Sequence, residues 1–221
     1  MWCLPTHKRP EKLKRLIDSV SIEDFREEVL VMVWGGDPRL DDYCKMDFPK
    51  SWMLYIGKEQ FCRDKLNKAF VVFPHEKFYG LLTDDIVLAT PGILTKLRQG
   101  AESGKFVWPD DGQWHEKLAT HPVVPGNFLR ALGFWAHSDF PHNGIDSVLF
   151  IMAKELGILQ YMPECKITVL HPLFGTAAMD ETYEDGKKLN EQFSFTYDLF
   201  LRTKLYPLLK QTAQRLEVGY E

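Results

Sequence analysis

The chain has 221 residues, 45% of them hydrophobic and 13% aromatic, which is the composition of a globular protein rather than a disordered one. This length supports one substantial core, and no Gly/Ser/Pro-rich linker divides the chain, so we expect a single domain over residues 1–221. The formal net charge of −4 excludes a global electrostatic attraction to nucleic acid or to anionic membranes.

Strand-like and helix-like segments alternate through the first half of the chain. Short, mainly apolar runs predict the strands, and helical spacing of apolar residues predicts the helices. The predicted strands are residues 2–4, 29–34, 52–56 and a fourth that begins at Leu81, and the predicted helices are residues 11–20 and 59–70. This alternation is typical of an α/β sheet, in which ligands bind beyond the carboxyl ends of the parallel strands.

The second half of the chain has a more mixed pattern. The predicted elements are a strand over residues 106–108, a helix over 127–134 that ends at Gly133, a helix over 146–156, a strand over 166–170 and one long or broken helix over 183–216. Gly157 is the expected C-cap of the predicted helix over residues 146–156. Pro207 is expected to kink or restart the last helix, because proline cannot continue a helical hydrogen-bond ladder.

Asp84 and Asp85 lie in an otherwise apolar run, apart from Thr83. Carboxylates are seldom placed in such a run unless something pairs them, and a hard divalent cation is a common partner. A strand that simply ends in a surface turn is an equal alternative for the dipeptide alone. His171 ends a later predicted strand and could add an imidazole, which favours Mn²⁺ over Mg²⁺, although a strand-end histidine bonded to backbone is the simpler interpretation.

Residues 6–9, 35–37 and 83–85 each follow a predicted parallel strand, so we expect them to share one rim of the sheet. Asp146, near a predicted helix start, is either a general base or a carboxylate favoured by the helix dipole. The sequence has no GxGxxG, P-loop or GxSxG motif, and the spacing of His115 and His121 does not fit HExxH.

The order of several segments resembles that of GT-A-fold glycosyltransferases of the family 2-like kind. These segments are residues 4–10, 34–37, 65–69, 82–86 and 144–147, followed by His171-Pro172. Two positions depart from the family pattern: Thr83 stands where an Asp-x-Asp motif has its first aspartate, and Ile145 precedes Asp146 where an acid is usual. The resemblance covers roughly residues 1–185.

The resemblance implies a Rossmann-like α/β fold with a mixed, mostly parallel central sheet flanked by helices and a C-terminal helical extension. Residues 1–99 would form the nucleotide-sugar-binding half, residues 100–180 the acceptor-binding half, and residues 181–221 the C-terminal helix. The implied donor-binding residues are Pro5, Thr6, Arg9, Asp37, Lys65, Asn67, Thr83 and Asp84. Asp85, Asp84 and His171 would hold Mn²⁺ or Mg²⁺, with Asp85 the preferred direct ligand.

Asp146 is the implied catalytic base, with Asp110 and Asp111 in reserve. Trp108, Asp110, Asp111 and Trp135 are the candidate acceptor-binding residues, although core packing is an alternative use of the tryptophans. The implied activity is transfer of a hexose or pentose from a nucleoside diphosphate sugar, with a UDP-sugar as the preferred expectation, to an acceptor hydroxyl with inversion.

The acceptor class stays open between a glycan, a protein and a modified DNA base. A sugar-nucleotide nucleotidyltransferase and a non-catalytic nucleotide- or glycan-binding module remain alternatives. The four widely spaced cysteines contain no CxxC pair, which favours free thiols in a cytoplasmic protein. No apolar run approaches the length of a bilayer span, so no stable membrane insertion is expected.

Overall fold

Eight strands form one central sheet in the computed structural model, which describes residues 1–189 and 193–217. The strands are β1 (Trp2–Pro5), β2 (Val29–Trp34), β3 (Trp52–Gly57), β4 (Phe78–Leu81), β5 (Ile86–Leu88), β6 (Phe106–Asp110), β7 (Val123–Pro125) and β8 (Leu159–Val169). Their order across the sheet is β3-β2-β1-β4-β7-β6-β8-β5. Strands β1 to β4 pair in parallel, as do β6 and β8, whereas β7 is antiparallel to both of its neighbours and β5 is antiparallel to β8.

Helices pack on the sheet, and three further helices follow the last strand among the described residues. This arrangement confirms the predicted fold class. The helices are α1 (Pro10–Asp18), α2 (Leu40–Cys44), α3 (Cys62–Val72), α4 (Ile93–Glu102), α5 (Gly126–Leu132), α6 (Ile145–Glu155), α7 (Glu181–Leu189), α8 (Phe193–Thr203) and α9 (Leu205–Glu217). Within the described residues, no helix has the length and apolar character needed to cross a bilayer.

The side chains of β1 alternate between two apolar layers, because successive residues of a strand point to opposite faces of the sheet. Trp2 and Leu4 pack into the layer that also contains buried residues of α1 and α4. Cys3 belongs to the other layer, which contains buried residues of α3, α5 and α6. The adjacent strand β2 is buried from Val29 to Val33, as expected for a strand covered on both faces.

The fourth strand differs from the prediction. Leu81 ends β4 rather than beginning it, and Asp84 and Asp85 form a turn before the separate strand β5. The apolar run therefore contains two strand segments with different partners, since β5 pairs with β8 and β4 pairs with β1 and β7. Inside the turn Thr83 Oγ1 donates to Asp85 Oδ1, a local side-chain bond of the kind that competes with a continuous strand ladder.

Other predicted boundaries also shift. Strand β8 begins at Leu159, seven residues before the predicted start at Lys166, and it pairs first with β6 and then with β5. The described residues of the predicted C-terminal helix lie in α7, α8 and α9. Lys204 separates α8 from α9, and Pro207 lies in the first turn of α9, where proline is tolerated. Residues 190–192 and 218–221 of that prediction lie outside the described residues.

Candidate active site

Asp37 joins the loops that follow β1 and β2 at one rim of the sheet. Its Oδ2 accepts hydrogen bonds from His7 Nδ1 and from the backbone N–H of Lys8, both at 2.9 Å. Its Oδ1 accepts from the backbone N–H of Arg39 at 2.8 Å. Only 5% of Asp37 is exposed, so its carboxylate fixes the two loops against each other. The loops that the topology was expected to bring together are therefore in contact.

Asp84 ties the turn after β4 to the same rim and is 5% exposed. Thr6 Oγ1 donates to its Oδ2 at 2.6 Å, and Arg9 Nη1 lies 3.4 Å from its Oδ1. Because the Thr6 hydroxyl has only one proton, the Tyr43 hydroxyl at 3.0 Å must donate to it. Burial raises the pKa of Asp84, Arg9 opposes that rise, and the adjacent Asp85 adds to it. Asp84 thus acts as an anchor inside the rim.

Asp85, the other half of the acidic pair, is half-buried and faces the C-terminal helices. Its Oδ1 accepts from Thr83 Oγ1 at 2.5 Å. Its Oδ2 lies 3.1 Å from the hydroxyl of Tyr183, which is also 2.9 Å from the carbonyl oxygen of Leu170. Both of its oxygens are therefore held by hydroxyl groups rather than by a basic side chain, and hydroxyl hydrogen bonds are weak compared with coordination of a divalent cation.

The described residues contain no group of three or more His, Cys, Asp or Glu side chains placed to hold a metal ion. His171 lies near Asp85 through Tyr183, whose ring centroid is 4.5 Å from the imidazole. However, His171 Nδ1 accepts the backbone N–H of Leu173 at 3.1 Å, so the neutral ring carries its proton on Nε2 and has no lone pair there for a metal. A site made of one carboxylate and substrate phosphates, as Mg²⁺ often uses, fits Asp85 better than a site built from three protein ligands.

A partly buried chain of hydrogen bonds links Asp85 to His121, in the loop after β6. Thr83 donates to Asp85, so its oxygen accepts from His121 Nε2 at 2.8 Å. Thr120 Oγ1 lies 2.9 Å from both His121 Nδ1 and Asp111 Oδ2, and its single proton can serve only one of these two acceptors. Burial lowers the pKa of His121, so the ring is neutral and can donate through only one nitrogen. His121 therefore donates from Nε2 to Thr83 Oγ1, and its Nδ1 can only accept a hydrogen bond.

Asp146 lies in the first turn of α6, after Gly144, whose φ of 90° lets the chain turn sharply into the helix. Its Oδ1 accepts the backbone N–H of Ser147 at 2.8 Å. Burial raises the pKa of Asp146 from its ordinary 3.8 to about 6, and only hydrogen bonds from Ser147 and its own backbone oppose that shift. Asp146 has no cationic partner among the described residues, and a carboxyl with a pKa close to neutrality has the properties of a general base.

No family model and no curated protein matches the sequence. Solved structures match it over nearly the whole chain. The mannosyltransferase PcManGT from Pyrobaculum calidifontis, in complex with GDP-Man and Mn²⁺, has a TM-score of 0.60 at 12% identity and covers 100% of this chain and 75% of its own. Glucosyl-3-phosphoglycerate synthase from Mycobacterium tuberculosis, with Mn²⁺, UDP and phosphoglyceric acid, has a TM-score of 0.62 at 12% identity over 92% and 78%. S. aureus TarS 1–349 in complex with UDP has a TM-score of 0.57 at 12% identity over 97% and 80%.

The chain has the GT-A fold. Within it, the predicted donor residues fall into two groups. Pro5, Thr6 and Arg9 are at the end of β1 and the start of α1, on the rim. Lys65 and Asn67, on α3, are used inside the protein. Lys65 is 3% exposed and donates to the carbonyl oxygen of Thr6 at 2.7 Å, and burial lowers its pKa.

Asn67 connects α3 of this GT-A fold to the segment after α5. Its Oδ1 accepts the backbone N–H groups of Trp135 and Ala136, each at 2.9 Å, and its Nδ2 donates to the carbonyl oxygen of Ala136 at 2.8 Å. Three of the four hydrogen bonds available to the amide are thereby directed at one loop. This arrangement makes Asn67 a structural brace in the described structure.

The predicted acceptor residues are largely interior. Trp135 is fully buried and Trp108 is 3% exposed, with its indole N–H donating to the carbonyl oxygen of His115 at 2.9 Å. Asp111 is buried, and its Oδ1 accepts three backbone N–H groups, from residues 113–115. Asp110 Oδ1 accepts from His115 Nδ1 at 2.7 Å. These contacts organise the turn after β6 and leave little side-chain surface for an acceptor.

Two functional candidates in this GT-A fold escaped the sequence reasoning. His121 was considered only for a metalloprotease motif, and Tyr183 only as the start of a helix. Each meets the Thr83–Asp85 turn across a long separation in sequence, since Tyr183 bonds a residue 98 positions away and His121 one 38 positions away. No local sequence pattern predicts such contacts, because they form only when the chain folds.

Proposed function

We propose that the protein is a metal-dependent glycosyltransferase that moves a sugar from a nucleoside diphosphate sugar to an acceptor hydroxyl. The observation that carries this proposal is the meeting of Thr6, Arg9, Asp84 and Asp85 on one rim of a GT-A fold. The solved structures with the same fold include complexes with GDP-Man and Mn²⁺ and with UDP and Mn²⁺, which supports a nucleotide-sugar donor and a divalent cation.

Asp85 is the residue proposed to hold Mn²⁺ or Mg²⁺, because its oxygens lie at the rim and are held by exchangeable hydroxyls. The cation would neutralise the negative charge that develops on the leaving diphosphate. Asp84 would keep the turn in place through Thr6 and Arg9, so that Asp85 is presented in one orientation. Enforced orientation of this kind supplies much of the acceleration in group transfer.

Asp146 is the proposed general base. With a pKa raised to about 6, it is ionised at neutral pH and is still a stronger base than an ordinary aspartate. It would accept the proton of the acceptor hydroxyl while that oxygen attacks the anomeric carbon from the side opposite the diphosphate. That direction of attack inverts the anomeric centre. We propose a UDP-sugar as donor, carrying a hexose or a pentose, and a cytoplasmic location.

The test is release of nucleoside diphosphate from a panel of nucleotide sugars, with and without Mn²⁺. Asp85→Asn should lower Mn²⁺-dependent turnover by at least about a hundredfold, because one metal ligand is lost. Glu155→Gln is the matched control, since Glu155 is an exposed carboxylate at the opposite end of α6 from Asp146. Turnover that is unchanged in Asp85→Asn would refute the metal role.

The same panel separates the alternatives. A binding module would bind a nucleotide without releasing nucleoside diphosphate from any donor. A nucleotidyltransferase would release pyrophosphate when given a nucleoside triphosphate and a sugar phosphate. Either result would replace the glycosyltransferase proposal.

A further inference from the structure

An acidic segment at the start of α7, residues 180–185, lies across the rim and pairs with its cations. Both oxygens of Asp180 are used, because Arg9 Nη2 donates to Oδ1 and Lys12 Nζ to Oδ2, each at 2.6 Å. Lys8 Nζ donates to Glu181 Oε1 at 2.5 Å and to Asp185 Oδ2 at 3.2 Å. Three basic side chains from one end of α1 are thus matched by three carboxylates that come from about 170 residues further along the chain.

Tyr183, in the middle of this segment, closes the same surface. Its ring centroid lies 3.7 Å from the guanidinium carbon of Arg9 and 4.3 Å from Lys12 Nζ, so both cations pack on its π face. Its hydroxyl lies 3.1 Å from Asp85 Oδ2. Thr182 adds a hydrogen bond to the carbonyl oxygen of His7 at 3.0 Å. The first turn of α7 therefore contacts Arg9 and Lys12 as well as Asp85, the candidate metal ligand.

Arg9 retains an unused hydrogen-bond donor. Arg9 is 8% exposed, and its Nε is buried without a hydrogen-bond partner among the described residues. An unsatisfied guanidinium donor in a buried position is destabilising, and it is satisfied when an anion with several oxygens replaces a single carboxylate. A diphosphate carries several acceptor oxygens and a comparable negative charge, and it matches a cluster of two lysines and one arginine.

We propose that Lys8, Arg9 and Lys12 form the binding site for the donor's diphosphate, and that the carboxylates of residues 180–185 fill this site until the donor displaces them. This inference rests on the proposed function, because it takes the donor to be a nucleoside diphosphate sugar. The protein without donor is then self-inhibited: its own carboxylates neutralise the phosphate-binding cations, and Tyr183 occupies an oxygen of Asp85.

The ion pairs have strengths that suit such an exchange. The side chains of Glu181 and Asp185 are 70% and 43% exposed, and exposed ion pairs contribute little to stability. The Asp180 side chain is 32% exposed and pairs with two cations, which hold its pKa down at about 2 despite partial burial, so it is the dominant contact. Removing the Asp180 charge should therefore release the segment most effectively.

The probe is inorganic pyrophosphate, titrated by calorimetry without metal, followed by UDP with Mn²⁺. Asp180→Asn should bind pyrophosphate roughly tenfold more tightly than the wild type, because the competing state loses population. Lys12→Met should bind it more weakly. The matched control is Asp198→Asn, which removes an exposed carboxylate on α8 that pairs only with its own helix, at Arg202, among the contacts described.

A second variant guards against misfolding of Asp180→Asn. Glu181→Gln with Asp185→Asn alters the exposed partners of Lys8, together with the exposed Asp185–Lys188 pair on α7, and should tighten pyrophosphate binding by roughly threefold. Hydrogen exchange gives an independent readout, since amides of residues 181–189 should exchange faster when UDP and Mn²⁺ are bound.

The outcomes distinguish this inference from the proposed function. Pyrophosphate affinity that is unchanged or weaker in both carboxylate variants would overturn the inference, even if the enzyme turns over donor. Tighter pyrophosphate binding without any binding of UDP or other nucleoside diphosphates would support the anion site and refute the proposed donor.

Discussion

Asp146→Asn should stabilise the protein while abolishing transfer. Burial raises the pKa of Asp146 from 3.8 to about 6, so the folded state holds a proton more tightly than the unfolded state. The wild type therefore loses stability as the pH rises through that interval, and at neutral pH the loss amounts to at most about 3 kcal/mol. Asparagine keeps an oxygen for the backbone N–H of Ser147 and has no charge to bury.

The assay is urea unfolding of both proteins near pH 7.5 and near pH 4.5. At the higher pH the variant should have the larger free energy of unfolding, and its melting temperature should rise by up to roughly 6–12 °C, from about 2–4 °C per kcal/mol for a domain of this size. At the lower pH the difference should narrow to roughly 1 kcal/mol, since the folded-state carboxyl is protonated there while the unfolded-state carboxyl, with its ordinary pKa of 3.8, is still largely ionised. A variant that is equal to or less stable than the wild type at both pH values would refute the inference that burial raises the pKa of the Asp146 carboxyl.

Two other variants probe the neighbours of the rim. Thr83→Val removes the hydroxyl between His121 and Asp85, so it should lower the free energy of unfolding by about 1–2 kcal/mol and weaken Mn²⁺ binding. Thr83→Ser keeps the hydroxyl and should restore both properties. Urea unfolding measures the first and metal titration the second. Asn67→Ala leaves two backbone N–H groups without their acceptor and should lower the free energy of unfolding by about 2 kcal/mol, with the affinity for UDP unchanged; a selective loss of UDP affinity would return Asn67 to the donor site.

The rim could be predicted from the sequence because the patterns that indicate its strands are local. Strands β1, β2 and β3 are short apolar runs, and parallel strands place their following loops at one edge, so the meeting of residues 6–9 with Asp37 follows from pattern and topology. The prediction that the fourth strand begins at Leu81 and runs into Asp84 and Asp85 was wrong for a local reason as well. An apolar run does not reveal that its two halves pair with different strands, and here β4 and β5 do.

The rest of the site depends on contacts that no local pattern encodes. His121 reaches Thr83 from the loop before β7, a strand that the sequence did not predict, and Tyr183 reaches Asp85 from α7. Trp108 and Trp135 show the converse difficulty. An aromatic side chain in a sequence can pack in a core or bind a sugar, and only burial, here nearly complete for both, decides which use the structure makes of it.

Asp84 and Asp85 are adjacent, yet the turn directs their carboxylates to different partners. Asp84 points inward to Thr6 and Arg9, whereas Asp85 points to Tyr183, in the segment whose carboxylates we propose the donor displaces. Arg9 links the two environments, because one nitrogen contacts Asp84 and another contacts Asp180. Displacement of Asp180 by a diphosphate would leave the bond between Arg9 and Asp84 in place. The Arg9 guanidinium would therefore keep its position while the diphosphate replaces Asp180 as its partner. Under this proposal, the anchoring carboxylate of Asp84 beside the proposed metal ligand Asp85 would let one arginine serve both the self-inhibited and the donor-bound states.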